Sequence, residues 1–241
     1  WWYWFNWNRI TINSINNNTF EPVIKDSKIL KEQTLEEYVL NKLSKYYGKT
    51  TLELTEELHV DNYSSTSKSF TYNLAKVMLN VFKDNIEEFE KANIQIKAIT
   101  LDKNNVPEQH MSFPTFKYTE IIKESWENSE LYEMFSTTKY LFMIYQRTPD
   151  GKRIFKKAKF WNAPANDINT EIKRIWEETV KRIKNNDYNN LPRTTESPIL
   201  HVRPHGTNKK DTYPTPDGNF ATKKCFWLHK KYIKRQIESE D

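Results

Sequence analysis

The stretch Asn93-Ile94-Gln95-Ile96-Lys97-Ala98-Ile99-Thr100-Leu101 reads as a strand, yet it carries an amide and an ammonium two residues apart. Residues two apart on a strand share a face, so Gln95 and Lys97 stand side by side. Seven residues before Gln95 lies Glu88, inside the acidic run Ile86-Glu87-Glu88-Phe89-Glu90. A carboxylate, a short gap and then Glu-x-Lys would suit metal-assisted cleavage of a phosphodiester, because carboxylates hold the cation and the lysine orients the attacking water. Here the glutamate of that layout is Gln95. By itself such a short pattern is weak, and an ordinary strand with exposed Gln95 and Lys97 accounts for it equally well.

The surrounding chain supplies the architecture. Leu35, Tyr38, Val39, Leu43 and Tyr46 recur at helical spacing, with Thr34 and Glu37 as a capping box and Gly48 placed to end the helix. Ser64 to Ser67 is a small polar link, and Phe70, Leu74, Val77, Met78 and Val81 mark a second helix. Leu141 to Tyr145 and Ile154 to Trp161, separated by Asp150-Gly151, predict a β-hairpin. Ile168, Ile172, Ile175, Trp176, Val180 and Ile183 predict a long helix with a charged, solvated face. His201-Val202-Arg203 is a brief strand, Asp217-Gly218 a turn, and the chain from Phe226 onward a strand or helix with basic residues. The expectation is a mixed α/β fold, a central mixed sheet flanked by helices, in one domain over residues 1–241.

Composition narrows the partners. Of 241 residues, 37 are basic and 32 acidic, a net +5 that permits a nucleic-acid partner without requiring one. The single cysteine, Cys225, excludes an internal disulfide and a cysteine-based zinc site, and it suits a reducing cytoplasm. No apolar run is long enough to span a membrane and no signal peptide is evident. Six of the first seven residues, Trp1-Trp2-Tyr3-Trp4-Phe5-Asn6-Trp7, are aromatic, which predicts an edge strand or a segment packed on something N-terminal. With no initial Met, the expectation is a piece of a longer protein.

Lys209, Lys210, Lys223, Lys224, Lys230, Lys231, Lys234 and Arg235, interleaved with Tyr213, Phe226, Trp227 and Tyr232, form the densest basic-aromatic segment. Solvated surface lysines explain any one of them; as a group they suit phosphate contacts. His110 has no cysteine or histidine at ligand spacing, so it reads as structural or as a DNA-facing donor, not as a metal ligand.

The order of these pieces resembles the MutH-type endonuclease family. The resemblance runs from about Thr34 to Arg235. It rests on Thr34-Leu35-Glu36-Glu37, the acidic turn and Asn93–Leu101, and Pro107-Glu108 with Phe113. Near the C-terminus it includes His201-Val202-Arg203-Pro204-His205, and Phe226-Trp227-Leu228 with Lys230-Lys231. The family carries Glu, Asp and Glu-x-Lys at its active site. The resemblance places these on Lys76, Glu88, Gln95 and Lys97, of which Lys97 alone is unchanged. Lys139 is a loose counterpart of a further family lysine. The family set nets negative, as a divalent cation requires, whereas these four net +1.

The resemblance therefore implies no catalytic residues and no cofactor for this chain, with Mg²⁺ reserved for a parent enzyme. It implies duplex DNA as a partner, with Arg203, Pro204 and His205 where the family reads GATC and Trp227 in place of a tyrosine. The implied role is a silent effector domain of a type II restriction endonuclease, working with a catalytic MutH-like domain on the same chain or a partner. An active Mg²⁺-dependent GATC endonuclease and a protein-interaction module are the alternatives.

Overall fold

The computed structural model describes residues 19–60 and 70–239. The aromatic run Trp1–Trp7 and the Ser64–Ser67 link lie outside the described residues. In chain order the strands are β1 (Phe20–Glu21), β2 (Asn85–Ile86), β3 (Ile94–Leu101), β4 (Met111–Thr115), β5 (Lys139–Arg147), β6 (Arg153–Trp161), β7 (Leu200–Pro204), β8 (Thr212–Pro214), β9 (Phe220–Thr222) and β10 (Lys224–Leu228). The helices used below are α1 (Leu35–Ser44), α2 (Thr51–Glu57), α3 (Phe70–Met78), α4 (Glu87–Lys91), α5 (Tyr118–Ile121), α6 (Glu130–Thr137), α7 (Lys173–Lys184) and α8 (Lys230–Glu238). The fold is mixed α/β with several sheets flanked by helices. The strands expected in one central sheet group into ladders of two and three. By its internal contacts the chain separates into two compact units.

The first unit comprises residues 1–100 and 139–160. Its three-stranded sheet has the order β3-β5-β6. Residues Tyr140 to Tyr145 are buried without interruption, as expected of a central strand covered on both faces. A five-residue turn joins β5 to β6, too short for a parallel crossover, so the predicted hairpin forms. Gly151 takes φ +85° in that turn, a conformation that favours glycine. Leu141, Met143 and Tyr145 pack with Val39, Leu43, Leu74 and Phe89 from α1, α3 and α4 in one core.

Capping fixes α1. The Thr34 hydroxyl accepts from the Glu37 N–H at 3.2 Å, and the Glu37 carboxylate accepts from the Thr34 N–H at 2.7 Å. Phe70, Leu74, Ala75 and Met78 are the buried stripe of α3, which gives way to a turn where Asn80 adopts φ 61°.

The second unit comprises residues 101–138 and 161–241. Its sheet has the order β4-β10-β7, antiparallel throughout, with a register shift where Phe113 and Pro114 of β4 lie opposite the single residue Phe226 of β10. Leu200, Val202, Phe226 and Leu228 are buried, together with Ile175, Trp176, Val180 and Ile183 of α7. The predicted long helix forms, its first part as a π-helical turn at Ile168–Ile172 that runs directly into α7. The residues after Phe226, read as strand or helix, are both, since β10 ends at Leu228 and α8 begins at Lys230. Among the described residues no helix is long and apolar enough to cross a membrane.

Candidate nucleic-acid interface and the inherited nuclease positions

In the first unit, the four positions implied by the family resemblance fall on three elements: Lys76 on α3, Glu88 on α4, and Gln95 and Lys97 on β3. Lys76 is buried, and its ammonium donates to the carbonyls of Lys83 at 2.8 Å and Asp84 at 3.2 Å. It also lies 5.4 Å from the Tyr72 ring centroid. Burial lowers its pKa, and Asp84 partly offsets this. Both oxygens of Glu88 accept backbone N–H groups, from Val23 at 2.8 Å and Ile24 at 3.0 Å. That carboxylate ties the Val23–Ile24 segment to α4.

Gln95 is exposed and Lys97 half-buried, its pKa lowered by burial. Among the described residues, no hydrogen bond or ion pair joins any two of the four. Lys139 is paired with the Glu36 carboxylate and so is committed elsewhere.

These side chains do not fit a divalent cation. One carboxylate is engaged by two amides, one position is an ammonium, and one is an amide that brings no charge. Among the described residues no group of three or more His, Cys, Asp or Glu could hold a metal ion. Glu90, two residues beyond Glu88, has its pKa raised by burial.

In the second unit the other implied residues converge. Arg203 and Pro204 end β7, and Pro204 lies opposite Lys224 on β10. The Arg203 guanidinium lies 5.6 Å from the centroid of the Trp227 ring. The His205 ring approaches that indole edge-on at 5.2 Å, and the His205 backbone N–H donates to the Lys223 carbonyl at 2.9 Å. Arg203, Pro204 and His205 are exposed, while Trp227 is half-buried with its indole N–H enclosed and without a partner. Trp227 is thus neither a core ring nor a free surface ring. It is a platform flanked by a cation and an imidazole.

The wider basic segment divides. Lys209, Lys210, Lys231 and Arg235 are exposed, and Lys230 is half-buried at the start of α8. Lys234 is loosely paired with Glu238 at 3.6 Å. Lys223 is bound to Asp211 at 2.6 Å and lies 4.6 Å from the Tyr213 ring, while Lys224 donates to the Tyr188 carbonyl. Phe226 and Tyr232, read as interleaved with the lysines, are core residues, 3% and 2% exposed. Alternation along β10 sends Phe226 inward, and the Tyr232 hydroxyl is held by Asp167 at 2.7 Å.

His110 has no cysteine or histidine at ligand spacing in the sequence, and the fold brings two histidines to it from distant positions. Its ring packs 4.6 Å from His201 and 4.9 Å from His229, and those two lie 5.9 Å apart. The three come from the approach to β4, from β7 and from the N-cap of α8. No local spacing signals such a meeting.

A comparison with known proteins places the chain in a family. The chain is 30% identical to the type II restriction enzyme Sau3AI of Staphylococcus aureus, over 93% of its own length. It is a relative of the MutH/Sau3AI-type endonucleases. The chain spans about half of Sau3AI, 55% of that enzyme's length. No family model matches the chain. The mixed α/β architecture is consistent with a Sau3AI-type relationship.

Proposed function

We propose that this chain is a DNA-binding domain that recognises GATC-type sites in duplex DNA without cutting them. In this reading it is the effector part of a type II restriction endonuclease in the cytoplasm. Occupation of one site by this domain activates a separate catalytic MutH-like domain, on the same chain or a partner, at another. Such activation requires the duplex to bind the active arrangement of the pair more tightly than the inactive one. Mg²⁺ belongs to the catalytic domain.

The observation that carries the reading is the contrast between the two sets of residues. Glu88 and Lys76 are absorbed into backbone hydrogen bonds, while Arg203 and His205 stand exposed around Trp227. Arginine reads guanine through O6 and N7, and cations nearby hold phosphates whatever the sequence.

The test is to incubate purified chain with GATC and scrambled duplexes in Mg²⁺, following binding and strand scission together. Preferential binding without nicking is expected, as is faster cutting when the chain is added to a catalytic domain. Scission abolished by Lys97→Ala would overturn the silent reading, and equal affinity for both duplexes would overturn the GATC reading.

A further inference from the structure

The chain that follows His205 leaves the second unit's sheet as a two-stranded ribbon and returns to it. β8 and β9 pair in antiparallel register, Thr212 with Thr222, Tyr213 with Ala221 and Pro214 with Phe220. Residues directly opposite share a face, so Pro214 and Phe220 form one apolar end of the ribbon, beside its turn. Both are exposed, Phe220 by 71%. A lone exposed apolar residue is ordinary. Phe220 differs in how firmly the ribbon presents it.

An isolated two-stranded hairpin is marginal in water, but this one is tied at both ends. At the turn, Gly218 takes φ +84° and the Thr215 N–H donates to the Asn219 carbonyl at 2.9 Å. The Asp217 carboxylate accepts from the Thr215 hydroxyl at 2.6 Å and from the Asn219 amide at 3.0 Å. At the base, the hydroxyl of buried Tyr118 donates to the Thr222 carbonyl at 2.6 Å, and Lys223 pairs with Asp211 at 2.6 Å. The Lys223 carbonyl also accepts from the His205 backbone N–H, so the ribbon starts where the Arg203–His205 strand end stops. Phe220 lies three residues from Lys223 in the sequence. That is about 10 Å along a strand, or about three base-pair steps.

We propose that the β8–β9 ribbon lies in the major groove of bound duplex beside the recognised site, where Phe220, with Pro214, contacts the methyl groups of thymines in the flanking base pairs. This rests on the DNA-binding reading and extends it from the site to its flanks. Groove width selects the major groove, which is about 12 Å across and admits a two-stranded ribbon; an undistorted minor groove, about 6 Å, is too narrow. The thymine methyl is the apolar group that bases present there. Insertion of the ring between base pairs is disfavoured, because unstacking a step costs about as much as burying one phenyl ring returns. Charge suits the same partner. Exposed Lys209 and Lys210 stand on the loop leading into β8, and phosphates border both sides of a groove. The two acids of this stretch are engaged, Asp211 by Lys223 and the Thr207 N–H, Asp217 by Thr215 and Asn219.

The experiment compares GATC duplexes whose flanking thymines are kept or replaced by deoxyuridine, which removes the methyl group alone. The wild-type chain is expected to bind the thymine-flanked duplex more tightly, by about fourfold per methyl contact. Phe220→Ala should bind the two alike, and Phe220→Leu, still apolar, should keep part of the difference. All three should hold their preference for GATC over a scrambled site in the same flanks, since Arg203 is untouched. Phe220→Ala removes an exposed ring, so its urea midpoint should match that of the wild type; the wild-type deoxyuridine comparison decides in any case.

A wild-type preference for GATC with equal affinity for thymine and deoxyuridine flanks would overturn the ribbon contact and leave the DNA-binding reading standing. Absence of duplex binding by the wild type would overturn that reading, and the contact with it. A thymine preference that survives in Phe220→Ala would overturn the assignment to Phe220. Brightening of 2-aminopurine at a flanking step on binding, lost in Phe220→Ala, would show a ring inserted between base pairs and overturn the groove contact. Unchanged duplex affinity in Phe220→Ala, with activation of a catalytic domain lost, would overturn it in favour of a protein partner.

Discussion

The Arg203 guanidinium lies over the Trp227 ring, 5.6 Å from its centroid, and the His205 ring meets the same indole edge to face at 5.2 Å. Arg203 lies one residue before the end of β7, and Trp227 pairs with His201 across the β7–β10 ladder, so the sheet itself sets this contact. A guanidinium restrained on an aromatic face loses less freedom when it meets a base.

Arg203→Ala is expected to weaken GATC duplex binding by about 1–3 kcal/mol and flatten preference over a scrambled duplex. Trp227→Ala should lower the same preference while Trp227→Phe retains most of it, because a phenyl ring still offers a flat face. Competition titrations with the two duplexes check both. Full discrimination in the arginine variant would remove Arg203 as a base reader.

Neutralising Lys230, Lys231 and Lys234 together should weaken binding to every duplex alike, with the GATC preference kept. For every phosphate no longer neutralised, the slope of log K against log salt should fall by about 0.9. Lys234 already faces Glu238 at 3.6 Å, so its share is expected to be the smallest. Affinity measured across a salt series gives the slopes, and an unchanged slope would place these lysines outside the interface.

Glu88→Ala should act on stability. It strips acceptors from the Val23 and Ile24 N–H groups, and charge-assisted bonds of this kind contribute about 1.5–3 kcal/mol each, less where water can replace the oxygen. Urea denaturation should show the loss. By the same reasoning Gln95→Glu alone should not create cleavage in Mg²⁺, because Glu88 stays occupied and Lys76 remains cationic. Nicking by Gln95→Glu would contradict the structural role given to Glu88.

Acid should destabilise the second unit through its histidines. Burial, His229 and Arg203 push the pKa of His110 down to about 4, and burial with His110 pushes His201 down to about 3. Both lie below the unfolded value, so the unfolded chain binds more protons. Stability is then whole above about pH 6.5 and is lost as pH falls towards the folded values. Each group sets a slope of up to about 1.4 kcal/mol per pH unit. Glu124, raised to about 7 by burial and Glu130, works in the opposite sense over part of the range. Glu130 of the same unit is raised by burial too, so urea midpoints between pH 7 and 5 in a Glu124→Gln, Glu130→Gln background expose the histidine contribution, and a flat profile would count against it.

The sequence by itself determined the local elements and the family pattern. Thr34 and Glu37 cap α1, Asp150-Gly151 turns the hairpin, and the stripe from Ile168 to Ile183 buries one face of a helical segment. Such features depend on residues a few positions apart, where periodicity and capping chemistry act directly. Charge alone also marked Lys76 and Gln95 as poor substitutes for metal-binding carboxylates. Tertiary structure decided what each polar group does. Glu88 meets amides more than sixty residues away, Phe226 and Tyr232 turn into the core while Trp227 holds Arg203, and three histidines from separate elements meet at the head of α8. A side chain's charge is written in the sequence; its partners depend on which distant strand and helix ends the packed core brings within hydrogen-bonding range.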